Sequence, residues 1–257
     1  MKSLHVVKIG GHVIDDTGKL QDFLVRFTGI KGPKMLVHGG GKIATRTAEQ
    51  LGIPVKMVDG RRITDKAMLE VVVQVYGGLV NKDIVARLQS LACNAIGMTG
   101  ADGNVIRAVK RPVKDIDYGY VGDLESVNAS LLKTLIEAGL VPVLAPLSHD
   151  GNGQMLNTNA DTIASSVAIA MADHFDVTLL FGFEKKGVLK DVNDEASVIP
   201  EISAAEFPQL KAEGVIAGGM LPKLDNAFAA IQKGVKEVVI CQAEEIGNKQ
   251  TGTRLVP

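Results

Sequence analysis

The chain has 257 residues, of which 46% are hydrophobic and 22% charged, and its formal net charge at pH 7 is -1. This composition is typical of a globular protein with a sizeable core, and it excludes a disordered or fibrous chain. Because the net charge is close to zero, the molecule as a whole does not attract nucleic acid or anionic lipid, and any anion must bind at a local site.

Six apolar runs rich in β-branched residues predict strands, and helical patterns lie between them. Runs that are apolar throughout are typical of strands buried on both faces of a mainly parallel sheet. Their alternation with helices predicts an α/β sandwich. The predicted strands are residues 4–9, 34–38, 94–98, 140–146, 176–181 and 237–242, and the predicted helices are residues 42–51, 65–91, 128–139, 160–173 and 220–233.

Three segments differ from this alternation. Residues 65–91 predict a long helix with apolar residues on more than one face, so it is expected either in a subunit interface or at the centre of its own chain. The polar insertions at residues 99–127 and 183–199 predict hairpins that project from the sheet, a position from which hairpins often act as lids.

The two cysteines and the chain start indicate the cellular compartment. Cys93 and Cys241 form no CxxC pair and no cluster with histidine, so they are expected to pack in the core, and no metal-binding set is predicted. The sequence shows neither a leader-like start nor an apolar run of about 18 residues. A cytoplasmic location is therefore expected.

Two glycine-rich turns follow predicted strands, KIGG at residues 8–11 and HGGG at residues 38–41. Without Cβ atoms, such turns let backbone N–H groups close around an anion, and the helix after Gly41 adds the positive end of its dipole. Each turn alone is equally compatible with a tight corner. Two turns at the carboxyl ends of sheet strands favour a crevice that binds phosphate or carboxylate.

The second turn also fits a dinucleotide-binding fingerprint. Residues 39–44 read GGGKIA, which matches G-x-G-x-x-A at a helix start, and Asp59 follows about 20 residues later. However, Asp59 is followed by GRRIT, which is typical of a hairpin or loop, and this interpretation leaves Lys8 unexplained. A nicotinamide-dependent oxidoreductase is the alternative enzyme class. A Walker A motif is excluded because Ile43 follows the lysine of this turn.

Two lysines and one aspartate have the chemistry that phosphoryl transfer requires. Where no P-loop exists, separate lysines can supply positive charge around the transferring group. Lys8 lies in an apolar strand, where an unpaired charge is costly. Lys223 opens a predicted helix and opposes its dipole, although an exposed first-turn lysine is the simpler interpretation. Asp161 either caps the following helix, in a capping box with Thr158, or orients the lysines or a magnesium-bound water.

Further polar residues are candidates for ligand contacts. Asn157 and Asn159 are two apart, so in an extended segment they point to opposite sides and one of them can reach a ligand. Arg62 can form a two-pronged contact with a carboxylate, or it can form a solvated pair with Arg61. Residue chemistry alone leaves these alternatives open.

Five motifs resemble those of the amino acid kinase family, and within it those of the acylglutamate branch. In chain order they are VVKIGG, LVHGGGK, GRRIT before a long helix, GQMLNTNADTIA and GGMLPK. One such motif is weak, whereas five at family-like separations are specific and cover essentially the whole chain. The combination of HGGGK, GRRIT and NTNAD indicates the acylglutamate branch.

This resemblance implies a three-layer α/β/α sandwich with a mainly parallel open central sheet. Residues 1–175 would form an N-terminal lobe that binds the acylglutamate and carries the interface of a homodimer, and residues 176–257 a C-terminal lobe that binds ATP. The implied reaction transfers the γ-phosphoryl group of ATP to the γ-carboxylate of N-acetyl-L-glutamate. The product is N-acetyl-L-glutamyl 5-phosphate, an intermediate of arginine biosynthesis.

The resemblance also implies a role for each candidate residue. Lys8 and Lys223 would stabilise the transferring phosphoryl group from two sides, and Asp161 would hold both lysines. The implied acceptor contacts are Gly40, Gly41, Arg62 and Asn157, and the implied nucleotide contacts are Gly10, Gly11, Glu184 and Gly187. The carboxylate nucleophile is already ionised at neutral pH and needs no general base. Mg²⁺ would be held mainly by the ATP phosphates.

In two respects the chain departs from the usual family pattern. Residues 183–187 read FEKKG where relatives usually have an aspartate-valine pair before the glycine. Lys8 lies almost at the terminus, as in the short, dimeric members that arginine does not inhibit. The acyl group, acetyl or succinyl, stays open, and a non-catalytic nucleotide-binding subunit is a second alternative to the kinase.

Overall fold

The computed structural model describes residues 1–58, 60–191, 193–216, 220–248 and 251–257. Asp59, which the dinucleotide interpretation required, lies outside these described residues. The same holds for Gly218 and Gly219 of the last motif.

An eight-stranded sheet forms the centre of the molecule, and shorter strands lie beside it. The strands are β1 (Ser3–Ile9), β2 (Lys34–His38), β3 (Met57–Val58), β4 (Arg61–Arg62), β5 (Ala95–Met98), β6 (Ile106–Lys110), β7 (Gly122–Val127), β8 (Val141–Leu144), β9 (Leu147–His149), β10 (Met155–Asn157), β11 (Asp176–Phe183), β12 (Glu201–Ser203), β13 (Glu237–Gln242) and β14 (Thr253–Val256). The order in the large sheet is β12-β14-β13-β11-β1-β2-β8-β5. Every pairing from β5 to β13 is parallel, and β14 is antiparallel to β13.

Helices cover both faces of this sheet. They are α1 (Gly11–Ile14), α2 (Thr17–Gly29), α3 (Gly41–Gln50), α4 (Lys66–Val72), α5 (Asn81–Ser90), α6 (Ala129–Glu137), α7 (Ala160–Met171), α8 (Phe207–Ala212) and α9 (Leu221–Gln232). Between α4 and α5 the helix continues as a π-helix over Val73–Val80. The long helix predicted over residues 65–91 is thus confirmed, with a widened middle that contains both of its glycines.

Two hydrophobic cores lie on opposite faces of the sheet because side chains alternate along each strand. On β1, Leu4 and Val6 belong to the core formed with α6, α7 and α9, whereas Val7 and Ile9 belong to the core formed with α2 to α5. The predicted α/β/α sandwich with a mainly parallel sheet is confirmed. Lys8 continues the series of Leu4 and Val6, so its side chain lies on the face that α7 covers.

The predicted hairpins have different outcomes. The hairpin predicted within residues 99–127 is confirmed by the antiparallel pair β6 and β7. This pair is part of a second sheet of order β10-β9-β6-β7. Within the described part of residues 183–199, strand pairing beyond the end of β11 is limited to an isolated bridge between Leu189 and Val198, so the prediction of a regular hairpin was wrong there. In the described part of the chain, no helix combines the length and apolar character needed to cross a bilayer.

Candidate active site

The two glycine turns lie side by side at the carboxyl ends of β1 and β2. The backbone N–H of Gly39 donates to the carbonyl of Ile9 at 3.1 Å, and a Cβ on Gly39 would lie 3.6 Å from the nitrogen of Gly11. Gly40 has a φ of 148°, and a Cβ there would lie 3.0 Å from the ring of Tyr76. The strand order changes direction at β1, with β2 on one side and β11 on the other, which is where open α/β sheets bind ligands.

Lys8 and Asp161 form an ion pair at this position. The Nζ atom of Lys8 lies 2.7 Å from Oδ1 of Asp161, and Lys8 is only 8% exposed. Strand alternation directs Lys8 toward α7, and Asp161 lies in the first turn of that helix. The Asp161 carboxylate therefore offsets part of the free-energy cost of burying the charge of Lys8 in an apolar strand.

The start of α7 differs from the predicted capping box. The N-cap is Asn159, whose Oδ1 accepts from the backbone N–H of Thr162 at 3.1 Å. The hydroxyl of Thr158 instead lies 2.6 Å from that of Ser148. The capping box of Thr158 with Asp161 was therefore wrong, because the helix begins one residue later and leaves the Asp161 carboxylate to Lys8.

Lys223 joins this pair through an aromatic ring that the sequence did not single out. Its Nζ lies 3.9 Å from the centre of the Phe183 ring, and the Nζ of Lys8 lies 5.6 Å from the same centre. Burial lowers the pKa of Lys223, the Asp161 carboxylate raises it, and the charge of Lys8 lowers it. The structure thus brings Lys8, Lys223 and Asp161 together around Phe183, at the end of β11.

Beside this charged group lies a cavity of ≈ 220 Å³. Its walls come from the second glycine turn, the β3–β4 hairpin, the start of α7 and the second sheet. The lining residues include Gly39, Gly40, Gly41, Arg61, Arg62, Tyr76, Arg111, Val121, Asn157, Asn159, Ala160 and Thr162. All four acceptor residues predicted from the sequence line this cavity. Arg111 and Tyr76 were missed, because nothing in their sequence surroundings differs from an ordinary surface arginine or core tyrosine.

Arg62 connects the hairpin to the glycine turn. Its Nη2 donates to the carbonyl of Gly41 at 2.9 Å and to the hydroxyl of Thr45 at 2.8 Å. It is 8% exposed, and within the described residues no carboxylate forms an ion pair with it. A buried guanidinium without a counter-ion favours binding of a carboxylate or phosphate. The alternative of a solvated arginine pair was wrong for Arg62, whereas Arg61 is exposed.

Asn157 is held in place by Thr64 and by residues 118–121, which precede β7. Its side-chain amide donates to the hydroxyl of Thr64 at 2.9 Å, and its backbone N–H donates to the carbonyl of Tyr120 at 2.9 Å. Tyr120 in turn donates its backbone N–H to the carbonyl of Thr64 at 2.7 Å. Residues 118–121 therefore join the β3–β4 hairpin to β10, and they set the distance between Arg62 and Asn157.

Of the residues predicted to contact the nucleotide, Gly10 and Gly11 follow β1 directly, whereas Glu184 and Gly187 follow β11. Gly10 and Gly11 begin α1, and Glu184 is exposed with its Oε1 at 3.8 Å from Nδ1 of His12. Gly187 is buried, and a Cβ there would lie 2.7 Å from the hydroxyl oxygen of Thr253. Close packing against Thr253 thus explains this glycine, and nucleotide contact by Glu184 and Gly187 stays a prediction.

The donor set also bears on magnesium. Among the residues that the structure describes, no group of three or more His, Cys, Asp or Glu side chains could hold a metal ion. Mg²⁺ readily keeps several waters and binds through substrate phosphates with few protein ligands.

A mainly parallel open sheet, with two glycine turns and the buried Lys8 at its switch point, defines the α/β class of this protein. Residues 3–242 match the sequence model of the amino acid kinase family. The chain belongs to that family.

Individual relatives agree with this assignment. The chain is 60% identical to a protein named acetylglutamate kinase from Phocaeicola vulgatus, with 98% of each chain covered. It is 53% identical to one of the same name from Cytophaga hutchinsonii, over all of this chain and 99% of the relative. The fold also matches that of carbamate kinase from Giardia lamblia, with a TM-score of 0.73, 15% identity and coverage of 100% and 99%.

Proposed function

We propose that this protein transfers the γ-phosphoryl group of ATP to the γ-carboxylate of N-acetyl-L-glutamate, forming N-acetyl-L-glutamyl 5-phosphate and ADP in arginine biosynthesis. The observation that carries the proposal is the ion pair of the buried Lys8 with Asp161, placed between the glycine turns and a cavity that contains an arginine without a counter-ion among the described residues. Relatives at 60% and 53% identity that are named acetylglutamate kinase support the same reaction.

In this proposal the protein acts mainly by fixed positive charge. Negative charge spreads over the oxygens of the transferring phosphoryl group, and pre-positioned ammonium groups stabilise it without reorganisation. Lys8 approaches it from β1 and Lys223 from the first turn of α9, and Asp161 holds Lys8 by the ion pair and Lys223 by attraction. The acceptor carboxylate attacks as the ionised form, so no side chain has to remove a proton.

The acceptor is positioned by groups that line the cavity. Arg62 and Asn157 bind the α-carboxylate, and the backbone N–H groups at Gly40 and Gly41 bind the acceptor near the reacting end. The Arg62 guanidinium donates to the Gly41 carbonyl, the Thr45 hydroxyl and the Met68 sulfur and lies against Tyr76. None of these neutral groups balances its charge, so it suits this contact. Binding the acceptor in one orientation lowers the entropic part of the barrier.

The nucleotide side of the site comprises Gly10, Gly11, Glu184 and Gly187. Gly10 and Gly11 present backbone N–H groups to the terminal phosphates, and Mg²⁺ held mainly by those phosphates would neutralise part of their charge. Apart from Gly10 and Gly11, the residues that bind the acceptor lie within residues 1–175 and those that bind the nucleotide within residues 176–257. A cytoplasmic location, where both substrates are free in solution, stays a prediction.

Acceptor-dependent ADP release with chemical trapping of the product tests this proposal. With ATP, Mg²⁺ and N-acetyl-L-glutamate, we expect ADP and, after addition of hydroxylamine, an equal amount of hydroxamate from the acyl phosphate. Unmodified L-glutamate is the matched acceptor control and should give little of either. Preference for L-glutamate would refute the acylglutamate assignment, and absence of acceptor-dependent ADP would refute the kinase.

The dinucleotide alternative has no comparable support. The segment around Arg61 and Arg62 forms the separate β3–β4 hairpin, not a strand of the large sheet beside β2. A ribose-binding acid in a dinucleotide site follows such a neighbouring strand. Tight binding of NAD(H) without binding of ATP would be needed to favour that class.

We further propose a homodimer through the outer face of the helix from Lys66 to Ser90. Leu79 on this helix is 61% exposed and can therefore contribute an apolar contact to such an interface. We expect sedimentation velocity to show a dimer, and Leu79→Glu to convert it to a monomer. Leu51→Glu, equally exposed at 61% after α3, is the control that should leave the dimer intact. A monomeric parent protein, or a dimer that survives Leu79→Glu, would contradict this interface.

A further inference from the structure

Arg111 is one of the residues that line the acceptor cavity, and one of its guanidinium nitrogens has no hydrogen-bond partner in the described part of the chain. Its Nε and Nη2 both donate to Oδ1 of Asp123, at 2.9 and 2.6 Å. The guanidinium carbon lies 5.3 Å from the centre of the Tyr118 ring. The remaining nitrogen, Nη1, is buried and has no hydrogen-bond partner among the described residues.

This arrangement fixes Arg111 and leaves one donor unused. The backbone N–H of Arg111 donates to the carbonyl of Val121 at 2.8 Å, so the residue is anchored by its main chain as well as by Asp123. A buried donor without an acceptor is unfavourable, and the cost is larger for a charged group. A ligand oxygen in the cavity would remove that cost.

The two cavity arginines have different electrostatic surroundings. Arg62 has no counter-ion among the described residues and therefore suits the α-carboxylate. Arg111 is already neutralised by Asp123, so it suits an oxygen that requires a directed N–H donor rather than a whole charge. The γ-carboxylate must face Lys8 to react. Of the acceptor's oxygens, this leaves those on the N-acyl group for Arg111.

We infer that Arg111 is an acceptor-binding residue that donates from Nη1 to an oxygen on the N-acyl group, and so helps the site distinguish acylated from free glutamate. The inference rests on the proposed function. The oxygen is the amide carbonyl in N-acetyl-L-glutamate, and a terminal carboxylate is also present in N-succinyl-L-glutamate. Both chemistries use the same donor, so the two substrates are the arms of the test.

The test compares Arg111→Met with Arg107→Met. Arg107 lies on β6, four residues earlier, and pairs with Glu125 on β7 at 3.1 Å, so its variant loses a similar ion pair outside the cavity lining. For Arg111→Met we expect KM for the acylated acceptor to rise about 10- to 100-fold, with KM for ATP within about twofold of the parent value. Arg111→Lys, which keeps a charged donor, should show a smaller rise. Arg107→Met should change neither KM.

The substrate arms identify the oxygen. An equal rise for N-acetyl- and N-succinyl-L-glutamate assigns the amide carbonyl, and a larger rise for the succinyl compound assigns its terminal carboxylate. An unchanged KM for both acceptors, or equal rises in the KM values for acceptor and ATP, would overturn the inference. Calorimetric titration of each acceptor gives the same comparison without turnover. Failure of the proposed function would appear differently, as a parent protein that neither binds nor phosphorylates either acceptor.

Discussion

Lys8 and Lys223 carry like charges around one aspartate and one aromatic ring. Their repulsion is tolerated because Asp161 pairs with Lys8 at 2.7 Å and also favours the charged form of Lys223. The face of the Phe183 ring adds attraction for both ammonium groups. The two ammonium groups exceed the single carboxylate by one positive charge, and a bound phosphate would neutralise that excess.

The pH dependence of Lys223 follows from these neighbours. Burial lowers its pKa below the ordinary value of 10.5, so kcat/KM should fall at alkaline pH as the ammonium loses its proton. Removing the Asp161 carboxylate removes the largest influence that raises this pKa. In Asp161→Asn the alkaline limb of kcat/KM should therefore move to lower pH, besides a loss of rate.

A matched control for this variant lies near the other end of α7. Asp173 is exposed two residues past the helix, and Asp173→Asn should keep both the parent rate and the parent pH profile. An alkaline limb that stays in place, or moves to higher pH, in Asp161→Asn would show that Lys223 is not the titrating group.

For single residues, the sequence identified the charged side chains of the site better than the side chains that they contact. Lys8 was identified because a charge in an apolar strand needs a counter-charge, and the ion pair with Asp161 confirms that need. Phe183 and Arg111 could not be predicted, because their importance depends on distances across strands and between sheets. The Thr158 capping box failed because Asn159, one residue later, caps equally well, and local spacing does not decide between them.

Between elements, a short backbone connection controls the shape of the acceptor site. Gly119 has a φ of 71°, and a Cβ there would collide with the carbonyl of Thr64, to which the neighbouring Tyr120 is hydrogen bonded. Gly119→Ala should therefore separate residues 118–121 from Thr64 and disturb Asn157. We expect a loss of stability and a rise in KM for the acceptor that is larger than any change for ATP.

Gly139 provides the control for this substitution. Its φ is 80°, but a Cβ there would meet nothing within 4 Å. Alanine in a left-handed conformation costs about 1–2 kcal/mol at either position, so Gly139→Ala should show only this cost in urea unfolding and parent KM values. Equal destabilisation and unchanged KM values in both variants would show that the Gly119 contact does not shape the site.

A second connection, between β2 and α5, predicts how stability responds to acid. His38 is fully buried, its Nδ1 lies 2.7 Å from the carbonyl of Gly39, and its Nε2 lies 3.1 Å from the side-chain amide nitrogen of Asn81. This pattern fits a neutral ring that donates from Nδ1 and accepts at Nε2. Burial lowers the pKa of His38 from 6.5 to about 4.

Because this pKa is lower in the folded than in the unfolded state, the unfolded chain binds more protons between the two values. The corresponding stability is present above pH 6.5 and is lost as the pH falls toward 4, by about 3 kcal/mol. His38→Gln, which cannot titrate, should lose this part of the acid dependence in urea unfolding. A parent protein and variant with parallel stability curves between pH 6.5 and 4 would contradict this account.

The regular elements differ in how well the sequence predicted them. The buried strands were placed within a few residues because they are continuously apolar. Helix α2 was missed although Leu20, Phe23, Leu24 and Phe27 repeat at helical spacing and are buried. The second sheet was predicted only as one hairpin, because β9 and β10 are three residues each and their pairing is made by the fold.

At the scale of the whole molecule, the order of the strands in the sheet could not be predicted from the sequence. The alternation of strands and helices predicted the three layers of the sandwich. It did not predict that β11 lies next to β1 on the side opposite β2. This position brings the ends of β1 and β11 together, with Lys8 beside Phe181 in register and Phe183 two residues further. The site of the two lysines is therefore a consequence of topology.

The most direct measurement is the single-turnover rate of phosphoryl transfer from ATP to N-acetyl-L-glutamate in Lys8→Met. Loss of one pre-positioned charge at a transition state typically lowers the rate by about 100- to 1000-fold. We predict a loss of this size with nearly unchanged ATP affinity and folding. Lys2→Met, an exposed lysine near the other end of β1, should transfer at the parent rate. Transfer by Lys8→Met within a few-fold of the parent rate would contradict the central claim that this buried lysine stabilises the transferring phosphoryl group.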